Sequence, residues 1–145
     1  MDYRNSWRFS KFYQDQVTEV LGLFDEQYRD GQLDLETHYK IAEQTGQAVD
    51  ESKLPPSLND YPYEVQCAFL IHEHLPDKWD TNMGFHMGKD WTALNTLLEI
   101  YEIEDKKTVI YFLQHIQARH SNKLNKDLKA KSKSKASSGP PKISN

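Results

Sequence analysis

One cysteine, Cys67, in 145 residues removes intramolecular disulfides from the ways this chain can hold itself together. No stretch approaches 18 apolar residues, so no segment reads as a bilayer-spanning helix. The opening residues, MDYRNSWRFSKFYQ, carry no apolar run of the secretory-leader kind. Glycine and proline number only six each and act as punctuation. No internal repeat is apparent. Together these absences predict a soluble, intracellular, single-domain protein without a membrane contact.

Charge of one sign is scarce at each end of the chain. Up to Ala118 there are ten basic residues against 21 acidic ones, a net of −11. From Arg119 onward there are eight basic residues and one acid, Asp127, a net of +7. An acidic body repels a nucleic-acid backbone, so electrostatic contact with phosphates is expected from the tail alone.

Hydrophobic periodicity predicts a mainly α fold, a small bundle of four or five helices over residues 1–128. Phe9, Phe12, Tyr13, Val17, Val20, Leu21, Phe24 and Tyr28 recur at helical spacing after a possible Ser6 cap, and Asp30-Gly31 is a stop. Asp34 caps a shorter helix that ends at Gly46, with Leu35, Tyr39 and Ala42 on one face. Residues 47–60 contain Pro55-Pro56 and read as a polar linker. Pro62 opens a helix apolar on most sides, which places it centrally, and Pro76 ends it. Asp90 is expected to cap a fourth helix. The polar EIEDKK interrupts the pattern before a last helix running to about Leu128. The β-favouring Thr108-Val-Ile-Tyr111 makes a short strand the second choice there. Residues 129–145, alternating Lys and Ser before Gly-Pro-Pro, have almost nothing to bury and are expected to be disordered.

The densest chemistry lies in HEHLPDKWDTNMGFHMGKDW, His72 to Trp91. His72 and His74 point about 200 degrees apart on a helix, so both cannot reach one ion, and H-E-x-x-H is missing. A mixed site would take His72 and His86 with Asp80, or Asp77, as an oxygen ligand. The preferred reading is structural, with these histidines hydrogen-bonded near a helix end and no cofactor. Gly84-Phe-His-Met-Gly88-Lys89 is one residue short of a phosphate loop, and Asp90 replaces its hydroxyl residue. Cys67 sits within the most apolar helix and is expected in the core. No serine has a nucleophile context. HYKIAEQTGQAVDESKLPP starts like a helix-turn-helix, but two prolines and Asp50-Glu51 spoil its second helix. An enzyme is not expected.

Aromatic residues exceed what a body of about 120 residues needs for its core. Trp7, Trp79 and Phe85 are the candidates for a protein-contacting surface. Lys129, Lys131, Lys133 and Lys135 are the candidates for contact with phosphates or an acidic partner, including a second copy.

The segments YPYEVQCAFLIHEHLPDKWD, GKDWTALNTLLEIYEIEDKKTVIYFL and HSNKLNK, spanning Tyr61 to Lys126, resemble small accessory proteins encoded in the tail or baseplate region of T4-like cyanophages. The resemblance implies an assembly or accessory protein acting in the cytoplasm of an infected bacterium, with a phage structural protein as partner. It implies no catalytic residue. The alternative is a nucleic-acid or transcription accessory protein that uses the basic tail.

Overall fold

The computed structural model describes residues 11–137, with side chains described from residue 14 to residue 133. Five helices and a two-stranded hairpin occur in the order α1 (Lys11–Gln27), α2 (Leu35–Thr45), α3 (Tyr63–His74), β1 (Asp77–Trp79), β2 (His86–Lys89), α4 (Leu94–Ile100) and α5 (Lys106–Ser137). Helical periodicity thus gives the mainly helical bundle it predicts. Ser6, and the start of α1 expected there, lie outside the described residues.

The core forms where α3 crosses α5, with α1 and α4 closing its sides. α3 contributes Val65, Cys67, Ala68 and Ile71, and α5 contributes Val109, Phe112, Leu113 and Ile116, all buried. Those α5 positions recur at three and four residues, one stripe of a helix. From α1, Phe24 enters the centre and meets Tyr61 and Phe69 at ring distances of 5.5 Å. Phe112 meets its ring edge-on at 6.1 Å. Such tilted and edge-on contacts suit the ring quadrupoles. Cys67 is in the core as expected.

Local signals set several boundaries. Asp34 accepts a 2.7 Å bond from the Thr37 amide at the start of α2, and Gly46 ends that helix at φ 70°. The side chain of Asp105 holds both the Thr108 amide and its hydroxyl, at 3.2 and 2.6 Å, at the start of α5. This fixes Thr108–Tyr111 as helix, not strand. The linker 47–60 contains two single 3₁₀ turns, Glu51–Lys53 and Leu58–Asp60.

α2 forms as expected but buries no residue, and Leu35 and Tyr39 are exposed. Three expectations need correction. Asp90 does not cap α4; its carboxylate bonds the Thr92 amide and hydroxyl, and the helix starts later, at Leu94. Between α3 and α4 lies an antiparallel hairpin where only a loop was expected. α5 continues past Leu128 through Lys129, Lys131 and Lys133 to Ser137. Its Lys and Ala residues are good helix formers, and no breaker occurs before Gly139-Pro140. The rest of the basic tail lies outside the described residues.

Candidate histidine cluster and hairpin surface

Pro76 follows the last turn of α3, and its carbonyl accepts from the Asp90 amide at 2.7 Å, closing the base of the hairpin. Asp77 pairs with Lys89 and Trp79 with His86, with an irregularity between them. At the tip, the Asp80 carboxylate accepts from the amides of Asn82 and Met83 at 2.8 and 2.9 Å. Gly84 closes the turn at φ 74°, a conformation that favours glycine. Asp80 therefore shapes the turn and stays apart from the histidines.

A two-stranded ribbon is marginal in water. Here α5 supports it with a row of polar side chains four residues apart: Gln117, Ser121 and Asn125. Asn125 mimics a neighbouring strand, accepting from the His86 amide at 2.7 Å and donating to the His86 carbonyl at 3.0 Å. Gln117 accepts from the Lys89 amide at 2.9 Å and from the Trp91 indole at 2.8 Å. Gly88 permits this approach: a Cβ there would stand 3.0 Å from the Gln117 side chain, and φ is 96°.

His86 is 2% exposed and bonded on both sides of its ring. Nδ1 lies 2.7 Å from the Ser121 hydroxyl and accepts from the Gly88 amide at 3.2 Å. An amide can only donate, so in the neutral ring the proton sits on Nε2 and is donated to Asp77 Oδ1, 2.8 Å away. Lys89 Nζ reaches the same oxygen at 3.1 Å from a side chain 8% exposed. Burial works against the charge on Asp77, but the bonds from His86 and Lys89 outweigh it and hold its carboxyl below the usual range.

Behind this network stand two more imidazoles. The His120 ring on α5 lies 5.4 Å from that of His86 and 4.9 Å from that of His72, both edge-on. His72 Nε2 and His120 Nδ1 are buried without a hydrogen-bond partner. Burial, and then the neighbouring His120, lowers the His72 pKa to about 4. Burial and then His86 lower that of His120. Both rings line a cleft of about 570 Å³, with Tyr28, Tyr61, Phe69 and Lys89 among its other walls.

Of the residues named for a mixed metal site, the fold thus brings together His86 and Asp77, with His72 one ring further back against His120 and Asp80 at the turn. His120 completes the cluster and was missed, because it lies outside the crowded stretch, 34 positions beyond His86 on α5. Donor atoms of Asp77, His86 and His120 all lie within 4.8 Å of one another. A signal for the clamp did exist: Gln117, Ser121 and Asn125 form a polar row beside the apolar stripe of α5.

The opposite side of the hairpin is apolar. Met83 at its tip is 77% exposed, and Met87 and Phe85 are exposed; Trp79 is exposed too, but on the histidine side. Trp79 leans its ring on His86 at 4.9 Å, whereas Met87 and Phe85 fall in the other phase of β2. Trp7 lies outside the described residues. Lys129, Lys131 and Lys133 are exposed on α5; Lys135 is on the same helix, with its side chain outside those described. No helix among the described residues is long and apolar enough to cross a membrane. The chain matches no protein-family description, no curated protein and no solved structure.

Proposed function

We propose that this protein is a non-enzymatic interaction module that docks on a structural protein through the apolar face of its hairpin. The observation that carries this reading is the exposure of Met83, Phe85 and Met87 on one short ribbon, with Trp79 exposed on its other side. Large apolar and polarizable side chains grouped on a surface mark contact sites. The ribbon is also held in place by Asn125 and Gln117, so little ordering entropy is lost when a partner binds. The resemblance of Tyr61–Lys126 supplies the partner class: a tail or baseplate protein in an infected bacterial cell. Action is stoichiometric, as assembly requires.

The test is affinity capture from infected cells with the full chain and with Phe85→Ser/Met87→Ser. The expected result is repeated recovery of one phage structural protein by the parent chain and its loss with the variant. Repeated recovery of no such protein, or equal recovery by both, contradicts the reading.

A second reading has one observation in its favour. Beyond Leu128, α5 leaves the body as an exposed helix carrying Lys129, Lys131 and Lys133. Such an arm suits sequence-independent phosphate contact. Fluorescence anisotropy with duplex and single-stranded DNA, comparing the full chain with one ending at Leu128, decides it. Equal, negligible binding by both removes nucleic acid as a partner.

A further inference from the structure

We propose that Asp77, His86 and His120 form a binding site for a divalent transition ion of the zinc class, with the Lys89 ammonium as its built-in competitor. The site lies on the other side of the ribbon from Phe85 and Met87 and does not depend on docking there; Trp79 alone adjoins it, with its ring 4.9 Å from that of His86.

Two imidazoles and a carboxylate are the donor types a borderline-soft ion takes, and their donor atoms already lie within 4.8 Å of one another. Ligands around a tetrahedral zinc ion stand about 3.3 Å apart, as bond lengths of about 2 Å require. Side-chain rotations close the remaining gap. The three residues come from three elements, β1, β2 and α5, which the Gln117 and Asn125 clamp holds in register.

The support around the ligands fits as well. A metal-bound imidazole generally donates its other N–H to a nearby acceptor. For His86 that acceptor is the Ser121 hydroxyl, 2.7 Å from Nδ1. Binding through Nε2 moves the ring proton from Nε2 to Nδ1, where it is donated to Ser121. The ion takes the place of that proton beside Asp77. The cost is the long 3.2 Å contact from the Gly88 amide. His120 has an unpartnered buried nitrogen and lines the cleft, which gives the ion a route inward. The unpartnered Nε2 of His72 lines the same cleft.

Lys89 supplies the distinguishing feature. Its ammonium sits 3.1 Å from Asp77 Oδ1, where a dication would act on the same charge. It must withdraw when the ion binds, and it also lines the cleft into which it can turn. A network that is only structural needs Lys89; a metal site is hindered by it. The two therefore predict opposite effects of removing the charge.

The test is calorimetric titration of chelator-treated, full-length protein with Zn²⁺, together with the visible absorption of Co²⁺ as a coordination probe. Saturable binding at one ion per chain is expected. His120→Gln and Asp77→Asn should weaken it roughly tenfold or more. Lys89→Gln should tighten it about two- to fivefold, the scale of a partly exposed ion pair. His115→Gln, on the same helix but outside the cluster, should leave it unchanged. Circular dichroism verifies that each variant is folded, and the gain in Lys89→Gln cannot arise from misfolding. Absence of saturable binding, equal binding by His120→Gln, or no gain in Lys89→Gln overturns the site.

Discussion

Asn125 does from a helix what a third strand would do in a sheet. Its amide gives and takes one hydrogen bond with the backbone of His86, a residue 2% exposed. Asn125→Ala leaves a buried N–H and C=O without partners, at about 1–3 kcal/mol for such a loss. Urea unfolding of the variant should show that decrease, and Asn125→Gln should not restore the parent value because its longer side chain misplaces both groups. His72 gives a second residue-scale prediction through its pKa of about 4, lowered first by burial. The unfolded chain takes up this proton near the ordinary histidine value of about 6.5. Between about pH 6.5 and 4 the unfolded state therefore binds a proton that the native state refuses, and stability falls as pH falls. Below about pH 4 this contribution is fully lost. After discounting for partial solvent screening, the loss is roughly 1–3 kcal/mol. Unfolding of chelator-treated protein across this range should show the slope, and His72→Leu should flatten it. An unchanged slope would assign the effect to other groups.

At the scale of elements, the sequence is a good guide where periodicity and caps coincide and a poor one where support comes from far along the chain. α3 and α5 were legible because their apolar residues repeat at three and four, and Asp34 and Gly46 bracket α2 by their own chemistry. The hairpin was not. DKW and HMGK hold no β-branched residue, and each is too short for an alternating pattern. What makes them strands is the pairing of each with the other, supported by α5 side chains 28 and 39 positions later. The same separation hid the histidine cluster. His72 and His86 could be suspected from one crowded stretch, but His120 joins them only through the packing of α5. The structure also sets where the chain can be cut. A protein ending at Asn122 loses Asn125 and with it the His86 clamp, whereas one ending at Leu128 keeps every described contact of the hairpin. The shorter chain should unfold at lower urea, and the Leu128 chain should stay within about 0.5 kcal/mol of the parent, as expected for removal of an exposed segment.

For the whole molecule, the division of charge seen in the composition shifts once the chain is folded. Arg119 pairs with Asp25 at 2.7 Å, Lys123 donates to the Gln32 carbonyl at 3.3 Å, and Lys126 reaches Asp30 at 3.6 Å. The first cations of the basic half are thus turned back onto the end of α1, and they help to close the body. The remaining cations of the basic half begin at Lys129, on the part of α5 that runs on beyond those pairs. One molecule therefore presents an acidic body and a basic arm, and the arm of one copy is complementary to the body of the next. Head-to-tail contact of this kind would give rings where the rotation closes and open chains where it does not. It is expected to appear as a concentration-dependent rise in mass by sedimentation equilibrium at about 0.01 M salt, where the screening length is about 30 Å. At about 1 M salt that length is about 3 Å, and the mass should return to that of a single chain. Removing residues 129–145 should abolish the rise at low salt. Association that persists at high salt or without those residues would place the contact on the apolar hairpin instead, because burial of Met83, Phe85 and Met87 is insensitive to screening.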